Sequence, residues 1–202
     1  MELVATLGRT LGFSLAAGVN LYATVALLGL AAHYHWVQLP GQFRVFDNPW
    51  IIGVAVVLYA VEFVADKIPW FDSIWDAVHT AIRPLGGALV AVAALGQPSP
   101  VMAGLAALVG GTVAAGSHLS KAGARIAINT SPEPFSNWTM SLLEDVFVVG
   151  LGLLALRYPL LAFIVSVAIL SVMTRAVRWL WRRLCRTESA RQDRPAERRE
   201  PK

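Results

Sequence analysis

The sequence predicts an all-α fold, a polytopic helical bundle that spans a membrane, and composition and hydropathy lead to that prediction. Of the 202 residues, 56% are hydrophobic and only 15% are charged, whereas a soluble domain has about 25% charged residues. A single soluble core of this size cannot bury so much apolar surface, but a bilayer can. Apolar stretches of membrane-spanning length also recur along the chain. These observations exclude a soluble enzyme and a DNA-binding domain.

The first three predicted spans are at about residues 11–32, 51–65 and 72–95. Asn48-Pro49 marks the start of the second span, because asparagine is a good N-cap and proline suits the first helical turn. In the third span an amphipathic half precedes an apolar half. Pro84, followed by Gly86-Gly87, predicts a kink between these halves.

The last three predicted spans are at about residues 101–125, 138–156 and 160–184. The fourth span is the reverse of the third, with its apolar half first, so the third and fourth helices are both expected to be kinked. Ser136 or Asn137 is available to cap the fifth span. Residues 1–185 are thus predicted to form the transmembrane domain. Residues 186–202 are rich in Arg, Glu and Pro and are predicted to be a disordered basic tail.

The basic residues predict the orientation. Ten of the 17 Lys and Arg residues lie in 175–202 against four acids, whereas 1–174 holds seven basic and nine acidic residues. Basic segments stay on the cytoplasmic side, and an even number of spans puts the N-terminus on the same side. We therefore expect a multi-pass protein of the cell inner (plasma) membrane with both termini cytoplasmic. The slightly acidic body argues against a nucleic-acid partner.

Two pairs of similar segments indicate an internal repeat. Residues 16–21 (AAGVNL) match 114–119 (AAGSHL), and Lys67-Ile68-Pro69 matches Arg157-Tyr158-Pro159. With three spans in each unit, units at about 8–96 and 100–184 would lie in the membrane with opposite orientation. Such 3+3 inverted repeats are typical of transporters, although short strings of small residues also recur by chance.

Charged side chains inside predicted spans are expensive and mark candidate functional sites. They form a predicted site that lines a substrate or ion cavity and includes Glu62, Asp66, Asp72, Asp76, His79, Arg83, His118, Lys121 and Arg125. The third and fourth spans form a hairpin around Pro98-Ser99. Counting outward from that turn pairs Asp76 with Lys121, Asp72 with Arg125, and His79 with His118.

Three interpretations of these charges remain open: a purely structural network of ion pairs, a polar cavity for a substrate or ion, and a catalytic centre. We expect leftover polar groups to require a solvated pocket that opens to the cytoplasm between spans two, three and four. No phosphate-binding loop, Ser/His/Asp arrangement or HExxH motif occurs. A single cysteine, Cys185, excludes an internal disulfide. No catalytic residue, metal site or cofactor is therefore predicted.

Four segments resemble a known family. They are VEFVADKIP at 61–69, the stretch from Trp75-Asp76 to Arg83-Pro84, HLSKAGAR at 118–125 and NTSPEPFSN at 129–137. They are similar to segments of small integral membrane proteins of bacteria and plants that are grouped as a domain of unknown function. The resemblance implies a polytopic membrane protein and implies no activity or ligand.

The predicted function is that of a transporter, or lipid-translocating protein, that is not driven by ATP. Its Lys and Arg residues would hold an anionic small molecule or lipid head group, and its acids and histidines would couple protons. Membrane lipids are the expected partners, and homo-oligomerisation is left open. The alternatives are a structural or assembly protein whose charges only pair with one another, and an intramembrane enzyme.

Overall fold

The computed structural model of the chain describes residues 2–37, 41–129 and 134–192, and these ranges form helices without strands. The all-α prediction is therefore confirmed. The helices are α1 (Glu2–Val19), α2 (Leu21–His33), a short 3-10 helix (Gly41–Phe46), α3 (Pro49–Ala65), α4 (Pro69–Leu95), α5 (Pro100–Asn129), α6 (Pro134–Arg157) and α7 (Pro159–Gln192). Within the described residues, α4, α5, α6 and α7 are long and apolar enough to cross a membrane, whereas α2 and α3 are shorter apolar helices.

Proline begins several of these helices. Asn48 caps α3 as predicted, since its side chain accepts a hydrogen bond from the Trp50 amide at 2.9 Å. The predicted starts of two later helices are wrong: α4 begins at Pro69 and not at Asp72, and α6 begins at Pro134 and not after Ser136 or Asn137. In both cases proline extends the helix backwards, because its fixed φ suits the first helical position.

The prediction of one continuous first span is wrong. The chain leaves the helical conformation at Asn20 (φ −146°, ψ 101°), which separates α1 from α2. The Asn20 side chain accepts a hydrogen bond from the Ala23 amide at 2.9 Å and so caps the N-terminus of α2. This cap is buried inside the protein. An asparagine whose side chain hydrogen-bonds to the nearby backbone in this way is favoured at helix starts and disfavoured in helix interiors.

The centre of the fold is the hairpin of α4 and α5, against which α1 packs. The hairpin prediction is confirmed: a Cβ on Gly87 would meet Ala114, and one on Gly110 would meet Ala91. A Cβ on Gly18 would likewise meet the Ala114 carbonyl. Small residues thus let three helices approach one another closely. The helix continues through Pro84, and the kink at that position stays a prediction.

The chain divides into two compact units, residues 1–167 and 168–202. In the second unit α7 continues to Gln192, and the disordered tail expected from residue 186 stays a prediction. Helix-forming Arg and Glu residues there extend the preceding helix. The rest of the predicted tail, 193–202, lies outside the described residues.

Candidate functional site

Four consecutive helices bring charged side chains into one buried cluster. The charged side chains of α4 recur every three or four residues, so they lie on one face of the helix. Helices α3, α5 and α6 contribute further charged side chains to the same cluster. We define the charge network as these side chains: Glu62, Asp66, Asp72, Asp76, His79, Arg83, His118, Lys121, Arg125 and Glu144. The structure brings together all nine predicted site residues, and each of them is at most 5% exposed.

Arg83 organises one end of the charge network. Its Nη2 donates to Glu62 Oε1 at 2.7 Å, and its Nη1 lies 3.1 Å from Asp76 Oδ1. The same Nη1 lies 2.6 Å from His118 Nδ1. A guanidinium has donors only, so His118 Nδ1 must be the acceptor and the His118 ring is neutral. Arg83 therefore joins α3, α4 and α5.

Lys121 and Arg125 occupy the middle and the other end of the network. Lys121 Nζ lies within 3.4 Å of Glu62, Asp66 and Glu144. Arg125 donates to both carboxylate oxygens of Glu144, at 3.1 and 2.6 Å, and to Asp66 Oδ2 at 3.1 Å. The two-pronged contact of Arg125 with Glu144 is a strong, directional arrangement. These two cations join α3 to α6.

Of the two predicted charged pairs between α4 and α5, Asp72 with Arg125 is present as a long ion pair, whereas Asp76 with Lys121 is wrong. Asp76 pairs with Arg83 on its own helix, and Lys121 pairs with acids of α3 and α6. Asp72 lies 3.9 Å from Arg125, which is closer to Asp66. Counting positions along α4 and α5 alone omits the acids of α3, which lie closer to the cations of α5 than the acids of α4 do.

The two histidines do not pair with each other as predicted. His79 Nδ1 lies 2.7 Å from the Trp75 carbonyl, and its Nε2 lies 2.8 Å from the Tyr22 hydroxyl. His118 lies between Arg83 and the Thr80 hydroxyl. The hydroxyl of Tyr22, at the start of α2, takes the place that the second ring was expected to fill. His79 thereby links the network to the helix that begins at Asn20.

The predicted site residues are enclosed in this structure, and a solvated pocket that opens to the cytoplasm stays a prediction. The predicted site residues are buried and contact one another, so no opening to solvent exists at these side chains. A cavity of about 380 Å³ lies beside the network at Tyr22, but it is apolar and lined by α2 and α3 residues such as Val25, Trp50 and Leu58. Two further cavities lie against α6 and α7 residues, including Arg157 and Tyr158. His79 and His118 find protein partners, whereas Glu62 Oε2, Asp72 Oδ1 and Arg83 Nε are buried without a hydrogen bond.

Sequence reasoning left several participants out of the site. Glu144 follows the NTSPEPFSN segment, and its charge within an apolar helix was a signal that identifies it. Asn129 donates from Nδ2 to Asp72 Oδ2 at 2.8 Å, and the Asn137 carbonyl lies 3.4 Å from Arg125 Nη1. Tyr22 carried no signal, because a tyrosine inside an apolar span is ordinary.

Lys67 lies outside the helices, in the short turn between α3 and α4. Its ammonium group donates to the Phe63 carbonyl at 2.8 Å and lies 3.0 Å from the centre of the Phe63 ring. It also donates to Ser141 Oγ on α6 at 3.3 Å. Burial lowers the pKa of Lys67, and Asp145 acts in the opposite direction. Lys67 is thus a second link between α3 and α6 at the edge of the network.

The charges of the network do not balance. It contains five acids (Glu62, Asp66, Asp72, Asp76 and Glu144) and three cations (Arg83, Lys121 and Arg125), a formal charge of −2 with neutral histidines. At the edge, Asp145 and Lys67 add one charge of each sign and leave the difference unchanged. Within the described residues no group of three or more His, Cys, Asp or Glu side chains is arranged to hold a metal ion.

An all-helical fold with several apolar helices of membrane-spanning length is typical of a helical membrane protein. A family model described as a domain of unknown function, DUF4126, matches residues 7–179. The chain belongs to this family. The match confirms the resemblance to a domain-of-unknown-function family, whereas the particular segments that suggested it stay a prediction. No curated protein and no solved structure matches the chain.

Proposed function

We propose that the protein is a membrane transporter that is not driven by ATP, and that the charge network is its working site in a closed conformation. In this proposal α1 and α2 together form one interrupted span. With α3 to α7 they make six spans, arranged as a 3+3 inverted repeat in the inner membrane with both termini cytoplasmic. The network binds and moves ions or a small polar molecule and makes or breaks no covalent bond, so the protein is not an enzyme.

The observation that carries this proposal is an interrupted helix in contact with buried charges. Discontinuous helices near the middle of the membrane are the usual building blocks of transporter sites. Here α1 ends at Val19 and α2 begins at Leu21, while Asn20 is only 2% exposed. Tyr22, in the first turn of α2, is hydrogen-bonded to His79 of the network. A movement at the interruption would therefore act directly on the charged side chains.

The cost of the network also supports a role beyond stability. Buried ion pairs are often no more stabilising than apolar residues of similar volume. Intramembrane charges are accordingly rare and mark ion or substrate pathways. Ten such side chains meet in this one network, and retention of so many costly groups favours a functional role over a purely stabilising one.

The sign of the network bears on what it would carry. We expected an anionic small molecule or lipid head group, which Lys121, Arg125 and Arg83 would bind. Each of these cations is within 3.4 Å of at least two carboxylates, and the formal charge of the network is negative. We therefore propose a proton or another positively charged species as the transported or coupled ion, with membrane lipids as surrounding partners.

A second candidate function is favoured by the closure of the site. All predicted site residues are buried and bonded to protein, as expected of a structural or assembly protein whose charges only pair with one another. The two candidates differ in one respect. A transporter must open its site to water, whereas a structural network stays closed.

Thiol accessibility tests this difference without knowledge of the substrate. Cys185 is replaced by serine, and Ser141→Cys is introduced on α6, where Ser141 is 1% exposed and bonded to Lys67. Ser166→Cys is the matched control, because Ser166 is 0% exposed and packs beside Gly12, away from the network. Both variants are treated in native membranes with a charged thiol reagent that does not cross the bilayer.

The transporter predicts that Ser141→Cys reacts in native membranes while Ser166→Cys reacts only after denaturation. If neither cysteine reacts before denaturation, the transporter proposal fails and the structural function takes its place. Reaction of both cysteines at equal rates would show general opening of the bundle, which also contradicts a defined site between α3 and α6.

A further inference from the structure

The charge network contains one acid that differs from the others in its surroundings. Glu62, Asp66, Asp76 and Glu144 each have a cation within 3.1 Å. Asp72 is 0% exposed, but Arg125 Nε is 3.9 Å from its Oδ1, beyond hydrogen-bond distance. Among the described residues, its hydrogen-bond partner is the neutral amide of Asn129, and its Oδ1 has no hydrogen bond.

The histidines differ from each other in a similar way. His118 must accept from Arg83 at Nδ1 and is fixed in the neutral form. His79 Nδ1 faces the Trp75 carbonyl and therefore carries a hydrogen. Its Nε2 faces the Tyr22 hydroxyl, which either donates to a neutral ring or accepts from a protonated one. His79 thus takes up a proton without losing either hydrogen bond.

We propose that Asp72 and His79 are the proton-binding groups of this site, and that the closed network holds one proton on each. This inference rests on the proposed function in that it names the ion to which the site responds. Protonation turns Asp72 from −1 to 0 and His79 from 0 to +1. The formal charge of the network then changes from −2 to 0, and a buried cluster with no net charge is far less costly than one with two uncompensated charges.

The neighbours of both groups fit this assignment. Asp72 faces Asp66 at the end of α3, Asp76 on α4, and Arg125 and Asn129 on α5. Two of these neighbours are acids and only one is a cation. His79 faces Tyr22 on α2, Asp76 and Arg83 on α4, and Lys121 and His118 on α5. Loss of the two protons would leave an ionised Asp72 facing two acids, with its one cation, Arg125, no closer than 3.9 Å. It would thereby favour separation of α3 and α4 from α5.

Infrared spectroscopy tests the assignment of Asp72 on the full chain in nanodiscs of ether-linked phosphatidylcholine, which has no ester carbonyl to mask the band. Exposed carboxylates are ionised at neutral pH, so a carbonyl stretch of a protonated carboxylic acid at neutral pH comes from a buried group. We expect this band in the wild type, its shift on labelling aspartate with ¹³C at the carboxyl carbon, and its loss in Asp72→Asn. The matched control is Asp47→Asn, since Asp47 lies in an exposed pair with His33 and its replacement should leave the band unchanged.

Histidine NMR tests the second group. With ¹⁵N-labelled histidine, we expect one doubly protonated ring at neutral pH that disappears in His79→Gln and persists in the exposed control His33→Gln. Absence of the carboxylic acid band from the wild type overturns the proposal without any variant. Persistence of the band in Asp72→Asn, or a neutral His79 ring, would overturn it as well.

These outcomes are independent of thiol accessibility. If Ser141→Cys reacts and Asp72 is ionised, the transporter proposal stands and the assignment of protons to this site fails. If Asp72 is protonated and Ser141→Cys does not react, the assignment of the proton site stands and the transporter proposal fails.

Discussion

Removal of Arg83 is the most informative change for the energetics of the charge network. Arg83 and Glu62 are both fully buried, and their side chains meet at 2.7 Å. Arg83 is also the cation that contacts Asp76. Arg83→Met therefore leaves Asp76 without a contacting cation and leaves Glu62 with Lys121 at 3.4 Å. Removing one partner of a buried pair costs about 3–5 kcal/mol, and we expect Arg83→Met to fall in that range.

A double-mutant cycle separates the pair from its surroundings. Glu62→Gln and Arg83→Met are made singly and together, and the free energy of unfolding is measured in mixed micelles by titration with dodecyl sulfate. We expect the double variant to lose less than the sum of the single losses, with a coupling of about 1–3 kcal/mol. His33→Gln combined with Arg83→Met is the control and should be additive within about 0.5 kcal/mol. Additive losses for Glu62 and Arg83 would refute the pairing on which the network depends.

Two further predictions test the close helix contacts and the edge of the network. Gly18→Ala should destabilise the protein, because the added Cβ would meet the Ala114 carbonyl. The control Gly53→Ala has open space around it and should be neutral or stabilising by up to about 1 kcal/mol. Equal effects of the two variants on thermal stability would contradict the packing of α1 on α5. Partial burial lowers the pKa of Lys67. After reductive ¹³C methylation the Lys67 signal, assigned with Lys67→Arg, should therefore titrate below dimethylated lysine free in solution. Titration at or above that of the free dimethylated amino acid would contradict the partly buried position over Phe63.

Much of the fold was predictable because it depends on local signals. Apolar stretches identified the helices, and Asn48-Pro49 and the turn at Pro98 marked correct boundaries. The break at Asn20 was not predictable from hydropathy, because the residues on both sides are equally apolar. It depends on a single side chain that bonds to its own backbone.

The membership of the site was predictable, whereas its pairing was predictable only for Asp72 with Arg125. Charges in apolar helices are conspicuous in any sequence, so all the predicted site residues meet in the structure. Which acid contacts Lys121 depends on the distance of α3 from α5, a tertiary quantity with no signal in the spacing along either helix. For the same reason the closure of the site was missed, since Glu144 on α6 completes the bonds of Arg125.

The distance between α3 and α6 tests the central claim, that the charge network alternates between closed and open forms, most directly. The two helices are connected through Lys121, Arg125 and Lys67. Spin labels at Val64→Cys on α3 and Trp138→Cys on α6, both at exposed positions, report this distance by pulsed electron resonance in a Cys185→Ser background. We predict two distance populations in nanodiscs, with the longer one enriched as pH rises. A single population at every pH would contradict an opening site and would leave a permanently closed structural network.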